Sequence, residues 1–143
     1  MEINGLPLHP LVVHAAVIFG PLAAIAGLLH LVPSWRARTR WPLIVLTVLG
    51  VGALVTAYFT GVSFLNGKPE LKQLAQVQTH KNLGGQTLWV ALGFGAIALV
   101  SGWLSERTGP IRIVLDVLLA IASVVLLVWV FRTGEAGARA VWG

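Results

Sequence analysis

The 143-residue chain contains no cysteine, and only 10 % of its residues are charged. Without cysteine there can be no disulfide, no thioether-linked haem, no thiolate-held iron–sulfur cluster and no cysteine nucleophile. Charged residues make up about a quarter of an ordinary soluble domain. A chain that is 57 % hydrophobic and so poor in charge is therefore not of that kind. These shortages favour an integral membrane protein.

Four apolar segments are each long enough to cross a bilayer as a helix, which takes about 20 residues. They cover roughly residues 11–32, 42–65, 83–104 and 111–131. Continuous apolar runs lack the alternation of barrel strands, and in lipid only helices and closed barrels satisfy their backbone. We therefore predict an all-α membrane protein with one domain over residues 1–143, folded as a bundle of four transmembrane helices.

The long link, residues 66–82, has the pattern of a short helix at the membrane surface. Leu71, Leu74, Val77 and His80 recur in it at helical spacing, with polar residues opposite them. We expect an interfacial amphipathic helix between transmembrane helices 2 and 3, with His80 on its apolar side.

The basic residues lie in the links between the apolar runs, where they act as topology signals and contact lipid headgroups. The net charge of +5 therefore does not predict nucleic-acid binding. Equal numbers of basic residues fall on the two sides of the membrane, so the total does not orient the chain. The dense cluster of Arg36, Arg38 and Arg40 favours a cytoplasmic first link. We predict a multi-pass protein of the plasma membrane with both termini extracytoplasmic.

Three of the four histidines, His9, His14 and His80, fall at one predicted membrane face. An unpaired imidazole at the edge of lipid is costly, so each needs a partner. His9 and His14 are five residues apart, about 140° from a common face of an ideal helix, but Pro10 allows His9 to precede the helix and fold back. Such a cluster can ligate a metal ion or haem iron. Equally, each imidazole could simply hydrogen-bond to its surroundings.

The polar residues of the opposite face have simpler interpretations. His30 lies about 24 Å from His14 along a helix, so the two cannot share a ligand, and we interpret His30 as an interfacial side chain. Asp116 lies four residues after Arg112. We expect an ion pair along the helix rather than a proton-relay carboxylate.

Both ends of the chain resemble a family of bacterial predicted membrane proteins of unknown function that have four helices. The matching residues are His9-Pro10 and Val13-His14 in the opening, His80 before helix three, and the glycine-rich ending from Arg132 to Trp142. In that family the ending often has a histidine where this chain has Glu135. Some relatives are fused to Rieske or cytochrome-type domains, so the resemblance implies a redox setting in the bacterial inner membrane.

Three hypotheses follow for function. The leading one is electron transfer by a b-type haem or another redox centre near the extracytoplasmic face, with His14 and His80 as ligands and His9 in reserve. The second is a Zn or Cu site formed by His9, His14 and His80. The third is a non-catalytic accessory subunit of a larger respiratory or transport complex, in which the histidines only form hydrogen bonds.

No pattern in the sequence predicts an enzyme. It shows no nucleophile–base pair, no phosphate-binding loop and no paired carboxylates. We therefore expect no stand-alone catalytic activity. The expected partners are the lipid bilayer and either a membrane redox complex or further copies of this chain.

Overall fold

The computed structural model describes residues 2–143, and within them four helices are long and apolar enough to cross a membrane. The helices are α1 Leu8–His30, α2 Arg36–Asn66, α3 Ala75–Trp103 and α4 Pro110–Trp142. The antiparallel strands β1 Glu2–Ile3 and β2 Leu6–Pro7 precede them, and short 3-10 turns lie at Pro33–Trp35 and Pro69–Gln73. The predicted membrane bundle of four helices is confirmed.

The bundle interior is rich in small side chains, and many large apolar side chains lie on the outside. Ala23 and Ala24 of α1 are fully buried, and they belong to one apolar core with residues of all four helices, including Phe94. Trp41 and Trp103 are exposed on the outer surface. Helices approach closely in a membrane where small residues face each other, while large apolar side chains are stable against lipid. The burial pattern is therefore that of a membrane protein.

The hairpin α3–α4 buries the same positions as the hairpin α1–α2. All but one of the seven buried residues of α1 have a buried counterpart 71 positions later in α3; the exception is Ala26. The five buried residues of α2 all have a buried counterpart 76 positions later in α4. Successive spans alternate in direction, so both hairpins cross the membrane in the same sense. The bundle is thus built from two structurally equivalent hairpins, a recurrent plan among membrane proteins.

The predicted interfacial helix between helices 2 and 3 is not present as a separate element. The link contains only the 3-10 turn Pro69–Gln73, after which Leu74 is extended with ψ 123° and α3 begins at Ala75. Nothing between Ala75 and the apolar run breaks a helix, so the last turns of the predicted element continue into α3. His80 therefore lies in the second turn of a transmembrane helix.

Helix α4 continues well beyond the predicted apolar segment, through the glycine-rich ending to Trp142. Glycine is tolerated inside a helix at a cost of about 1 kcal/mol relative to alanine, and here the added turns pack against the start of α3. This extension brings Thr133 and Gly137 next to His80.

Candidate functional site

The first member of the candidate site is His9, in the first turn of α1. Its Nδ1–H donates a hydrogen bond to the carbonyl oxygen of Ala57 on α2 at 3.0 Å, and Nδ1 lies 3.3 Å from Thr60 Oγ1. A carbonyl oxygen can only accept, so the proton of the neutral ring must be on Nδ1. The other ring nitrogen, Nε2, therefore keeps its lone pair.

The second member is His80, in the second turn of α3. Its Nδ1–H donates to the carbonyl oxygen of Thr133 on α4 at 3.0 Å. The hydroxyl of Thr133 is itself fixed, since it lies 2.6 Å from the hydroxyl of Thr87. The same reasoning assigns the proton of the neutral His80 ring to Nδ1 and leaves Nε2 as the available ligand atom.

Each imidazole packs against a glycine of the following helix. A Cβ atom added to Gly61 would lie 2.9 Å from Cε1 of His9, and one added to Gly137 would lie 2.9 Å from Cε1 of His80. In both cases the glycine follows the hydrogen-bonding carbonyl by four residues, so carbonyl and glycine are neighbours on one helix face. Both hairpins thus hold a histidine in the same way.

The two rings lie next to each other across the boundary between the hairpins. Their centroids are 6.5 Å apart and their planes are tilted by 59°. Phe64 stacks on His9 with a centroid distance of 6.3 Å, and the Lys68 ammonium lies 5.1 Å from the Phe64 ring centroid. We call His9 and His80 the histidine pair.

His14 does not join the histidine pair, which corrects the expectation that it would meet His80. Its ring is exposed, and its Nδ1–H donates to the carbonyl oxygen of Pro10, four residues earlier in the same helix, at 2.7 Å. The helix begins at Leu8, so His9 is already helical and cannot fold back independently. Five residues along a regular helix rotate a side chain about 140° away. His14 therefore points away from the bundle.

The three-histidine metal site predicted from His9, His14 and His80 is accordingly not formed. Across residues 2–143, no three His, Cys, Asp or Glu side chains lie close enough together to hold a metal ion. Glu135 accepts a hydrogen bond from Arg139 at 2.8 Å and is exposed.

A second polar cluster lies at the opposite end of the bundle, and it also repeats in the two hairpins. Arg36 and Arg112, which occupy equivalent positions of α2 and α4, each donate to the last carbonyls of the preceding helix at 3.3–3.4 Å. The accepting residues are His30 and Leu31 for Arg36, and Ser101 and Leu104 for Arg112. A cation here satisfies carbonyls that have no partner within their helix.

Asp116 joins the two arginines. Its Oδ1 is 2.8 Å from Nη2 of Arg112, and its Oδ2 is 2.9 Å from Nη2 of Arg36. The predicted pair of Arg112 and Asp116 is confirmed, and the bond to Arg36 was not foreseen because it comes from another hairpin. One carboxylate therefore ties the two hairpins together.

His30 is not the interfacial side chain that was expected. It is 0 % exposed, and its Nδ1 lies 2.9 Å from the hydroxyl oxygen of Thr39. The 3-10 turn after α1 is short, so the first turn of α2 lies beside the end of α1 and Thr39 contacts the ring. The histidine therefore lies within the polar cluster of Arg36, Arg112 and Asp116, which we call the arginine cluster.

Sequence reasoning missed the groups that hold the histidine pair. Ala57 and Gly61 were recognisable only as part of a small-residue face on the second apolar segment, which predicts helix contacts. The recoverable signal is the repeated spacing: His9 and His80 are 71 residues apart, and Gly61 and Gly137 are 76 apart.

A family model described as a predicted membrane protein, DUF2231, matches residues 5–143 of this chain. No curated protein and no solved structure matches the chain. The matched range contains all four helices, both histidines of the pair and the whole arginine cluster. The chain therefore belongs to the DUF2231 family of predicted membrane proteins.

Proposed function

We propose that this membrane protein is an electron-transfer component in which His9 and His80 together ligate one redox-active metal, with the iron of a b-type haem as the favoured centre. The observation that carries the proposal is the histidine pair itself: two imidazoles from two equivalent hairpins lie with ring centroids 6.5 Å apart. His80 was a ligand in the sequence-based hypothesis, and His9 takes the place of His14.

The hydrogen bonds of the pair support ligation. Metal-bound histidines usually donate their other N–H to a carbonyl or carboxylate, which fixes the ring orientation and raises the basicity of the ligand nitrogen. The carbonyls of Ala57 and Thr133 accept such bonds at 3.0 Å each. Both rings are therefore held in the tautomer that a metal requires.

The separation of the two rings is compatible with both of them holding one metal. An imidazole bound through Nε2 at about 2.0–2.1 Å has its ring centroid about 3.2 Å from the metal, so two such rings lie at most about 6.4 Å apart. The observed 6.5 Å between the centroids of His9 and His80 is near that limit. Both rings would therefore be within reach of one metal centre.

The donor set also favours haem over a bare ion. Zinc sites in proteins take at least three ligands from the chain, and within residues 2–143 no third His, Cys, Asp or Glu joins the histidine pair. A haem brings four nitrogen ligands of its own, so His9 and His80 would be enough to hold it. It would supply one-electron transfer when bound.

The protein's own residues would contribute position and environment. Gly61 and Gly137 leave room for each ring against the following helix, and Ala57 and Thr133 keep both Nδ1 protons in place. Phe64 covers one face of His9. These groups set the orientation of both ligands and so would tune the potential of the centre.

The test compares the wild type with His9→Ala, His80→Ala and His14→Ala after purification from cells supplied with haem precursor. His14 is the matched control, since it has the same side chain on the same helix but faces away from the pair. We expect a low-spin haem spectrum in the wild type and in His14→Ala. Either variant of the pair should lose at least about nine-tenths of the bound haem, because one missing axial ligand weakens retention.

Metal analysis of the same samples separates the alternatives. One equivalent of zinc or copper in the wild type, absent from His9→Ala and His80→Ala, would mean that the histidine pair binds a metal ion and not haem. Colourless, metal-free wild type that folds normally would overturn the redox proposal. The histidines would then be hydrogen-bonding residues of a non-catalytic accessory subunit.

A further inference from the structure

An apolar groove runs along the outer seam between α2 and α3. Two cavities of about 420 and 220 Å³ lie in this seam, and Leu99 lines both. The larger one is also lined by Ile44 and Trp103, and the smaller one reaches Gly52. A Cβ atom added to Gly52 would meet no atom within 4 Å, so the absence of a side chain there leaves open space. The groove faces the lipid, and apart from Thr47 its lining residues are apolar.

Arg40 stands at one end of the groove with its side chain 29 % exposed. It precedes Ile44 by one helical turn and so lies on the same face of α2. Its Nε is buried, so the two Nη groups are the donors that can reach a ligand. Its closest carboxylate is that of Glu106, at 3.9 Å, and the Glu106 side chain is 93 % exposed. A surface pair of this length contributes little, so the guanidinium is available to another anion.

The equivalent seam on the other side of the bundle, between α4 and α1, has side chains where the groove has glycines, and it carries the opposite charge. By the spacing of the repeat, Val128 occupies the position of Gly52, and Ala24 that of Gly95. Asp116 stands at the position of Arg40, where Arg36 and Arg112 neutralise it. The combination of glycines in the seam with a cation at its end thus belongs to the α2–α3 seam and is not a general consequence of the fold.

We propose that the α2–α3 groove binds one acyl chain of an anionic phospholipid whose phosphate pairs with Arg40. The groove supplies apolar contact at the depth of the hydrocarbon, and Arg40 supplies a positive charge beside the belt formed by Trp41 and Trp103. Arginine binds phosphate oxygens through paired N–H donors, and basic residues next to a membrane span attract anionic lipids. The site lies at the opposite end of the bundle from the histidine pair and does not depend on it.

The test uses the full-length protein in detergent, with dioleoyl phosphatidylglycerol and dioleoyl phosphatidylcholine as probes and native mass spectrometry as the readout. Arg40→Gln removes the charge, and Arg38→Gln removes a neighbouring exposed charge as its control. Gly52→Leu fills the groove, and Val128→Leu adds bulk at the equivalent position of the other seam. Size-exclusion chromatography verifies that each variant is folded.

We expect the wild type to retain one phosphatidylglycerol in preference to phosphatidylcholine. Arg40→Gln should lower that binding about fivefold, and Gly52→Leu should abolish it, whereas both control variants should bind as the wild type does. Equal binding of the two lipids, or equal binding by Arg40→Gln and Arg38→Gln, would overturn the proposal. The proposal would also be overturned if the wild type instead carried an isoprenoid lipid or a copurified protein and Gly52→Leu released it. If Gly52→Leu does not fold, the comparison of Arg40→Gln with Arg38→Gln still tests the proposal.

Discussion

The imidazole rings of His9 and His80 lie 6.5 Å apart although 71 residues separate them in the chain. Each ring donates to a main-chain carbonyl of the next helix, and each rests on the glycine four residues after that carbonyl. The repeated combination of a histidine, the carbonyl that accepts its hydrogen bond and the glycine on which it packs is more specific than either histidine alone. It makes the junction of the two hairpins the place where function is to be tested.

The first prediction concerns Gly137, the glycine on which the His80 ring packs. In Gly137→Ala the added methyl carbon would lie 2.9 Å from Cε1 of His80 and must displace the ring. Alanine favours the helix by about 1 kcal/mol, so any loss of cofactor would not come from a weaker helix. We expect about a tenfold loss of haem retention, measured as Soret absorbance per protein.

Gly134→Ala is the control for that substitution. It lies three residues earlier in α4, and an added Cβ there meets no atom within 4 Å. It should retain the wild-type spectrum. Equal retention by Gly134→Ala and Gly137→Ala would mean that the position of the His80 ring does not govern binding.

The second prediction concerns the carboxylate between the two arginines. Asp116→Asn removes the charge while keeping the shape, and it leaves Arg36 and Arg112 without a counter-ion at side-chain exposures of only 15 % and 6 %. Removing one partner of a buried ion pair costs about 3–5 kcal/mol; Asp116 is 28 % exposed, so we expect the lower end of that range. The measurement is the free energy of unfolding in detergent by chemical denaturation.

Glu135→Gln is the matched control, because Glu135 forms a similar pair with Arg139 four residues away on the exposed end of α4. Such surface pairs contribute about 0–1 kcal/mol. If Asp116→Asn cost no more than Glu135→Gln, the proposed link between the hairpins would be energetically unimportant.

The third prediction tests the close approach of α1 and α2. A Cβ atom added to Gly50 would lie 2.6 Å from the main-chain oxygen of Phe19, which cannot move without shifting α1. We expect Gly50→Ala to destabilise the bundle by about 1–3 kcal/mol. Gly52→Ala, two residues later on the open side of the same helix, should change the midpoint of thermal unfolding little. Equal midpoints for the two variants would contradict the packing of α1 on α2.

The fourth prediction concerns orientation, and the absence of cysteine makes it simple to test. Single-cysteine variants Ser34→Cys and Gln73→Cys place one thiol in each of two exposed links. If the arginine-rich first link is cytoplasmic, a membrane-impermeant thiol reagent added to intact cells should label Gln73→Cys and not Ser34→Cys. The reverse pattern would invert the topology and move the histidine pair to the inner face. After cell lysis both thiols should react, which controls for accessibility.

The sequence predicted the elements of the fold well, since its strongest signal is length and hydrophobicity. Any apolar run of about 20 residues in lipid must satisfy its own backbone, and a helix does so within the run. The pair of Arg112 and Asp116 was predictable for a similar reason, because both partners lie one turn apart on one helix. Among the predictions that failed, two need to know where a helix begins. The start of α1 at Leu8 decided that His14 faces outward, and the start of α3 at Ala75 removed the interfacial helix.

The sequence by itself determined that this protein has four membrane helices, that it lacks cysteine chemistry, and that three histidines fall at one end of the bundle. Only the tertiary structure decided which of them meet, that His30 is buried, and that one carboxylate bridges both hairpins. The physical reason is that helix formation and insertion depend on local backbone satisfaction and hydrophobicity, which can be read along the chain. Contacts between helices depend instead on their rotation and register, which small residues such as Gly61 and Gly137 set only after the helices pack.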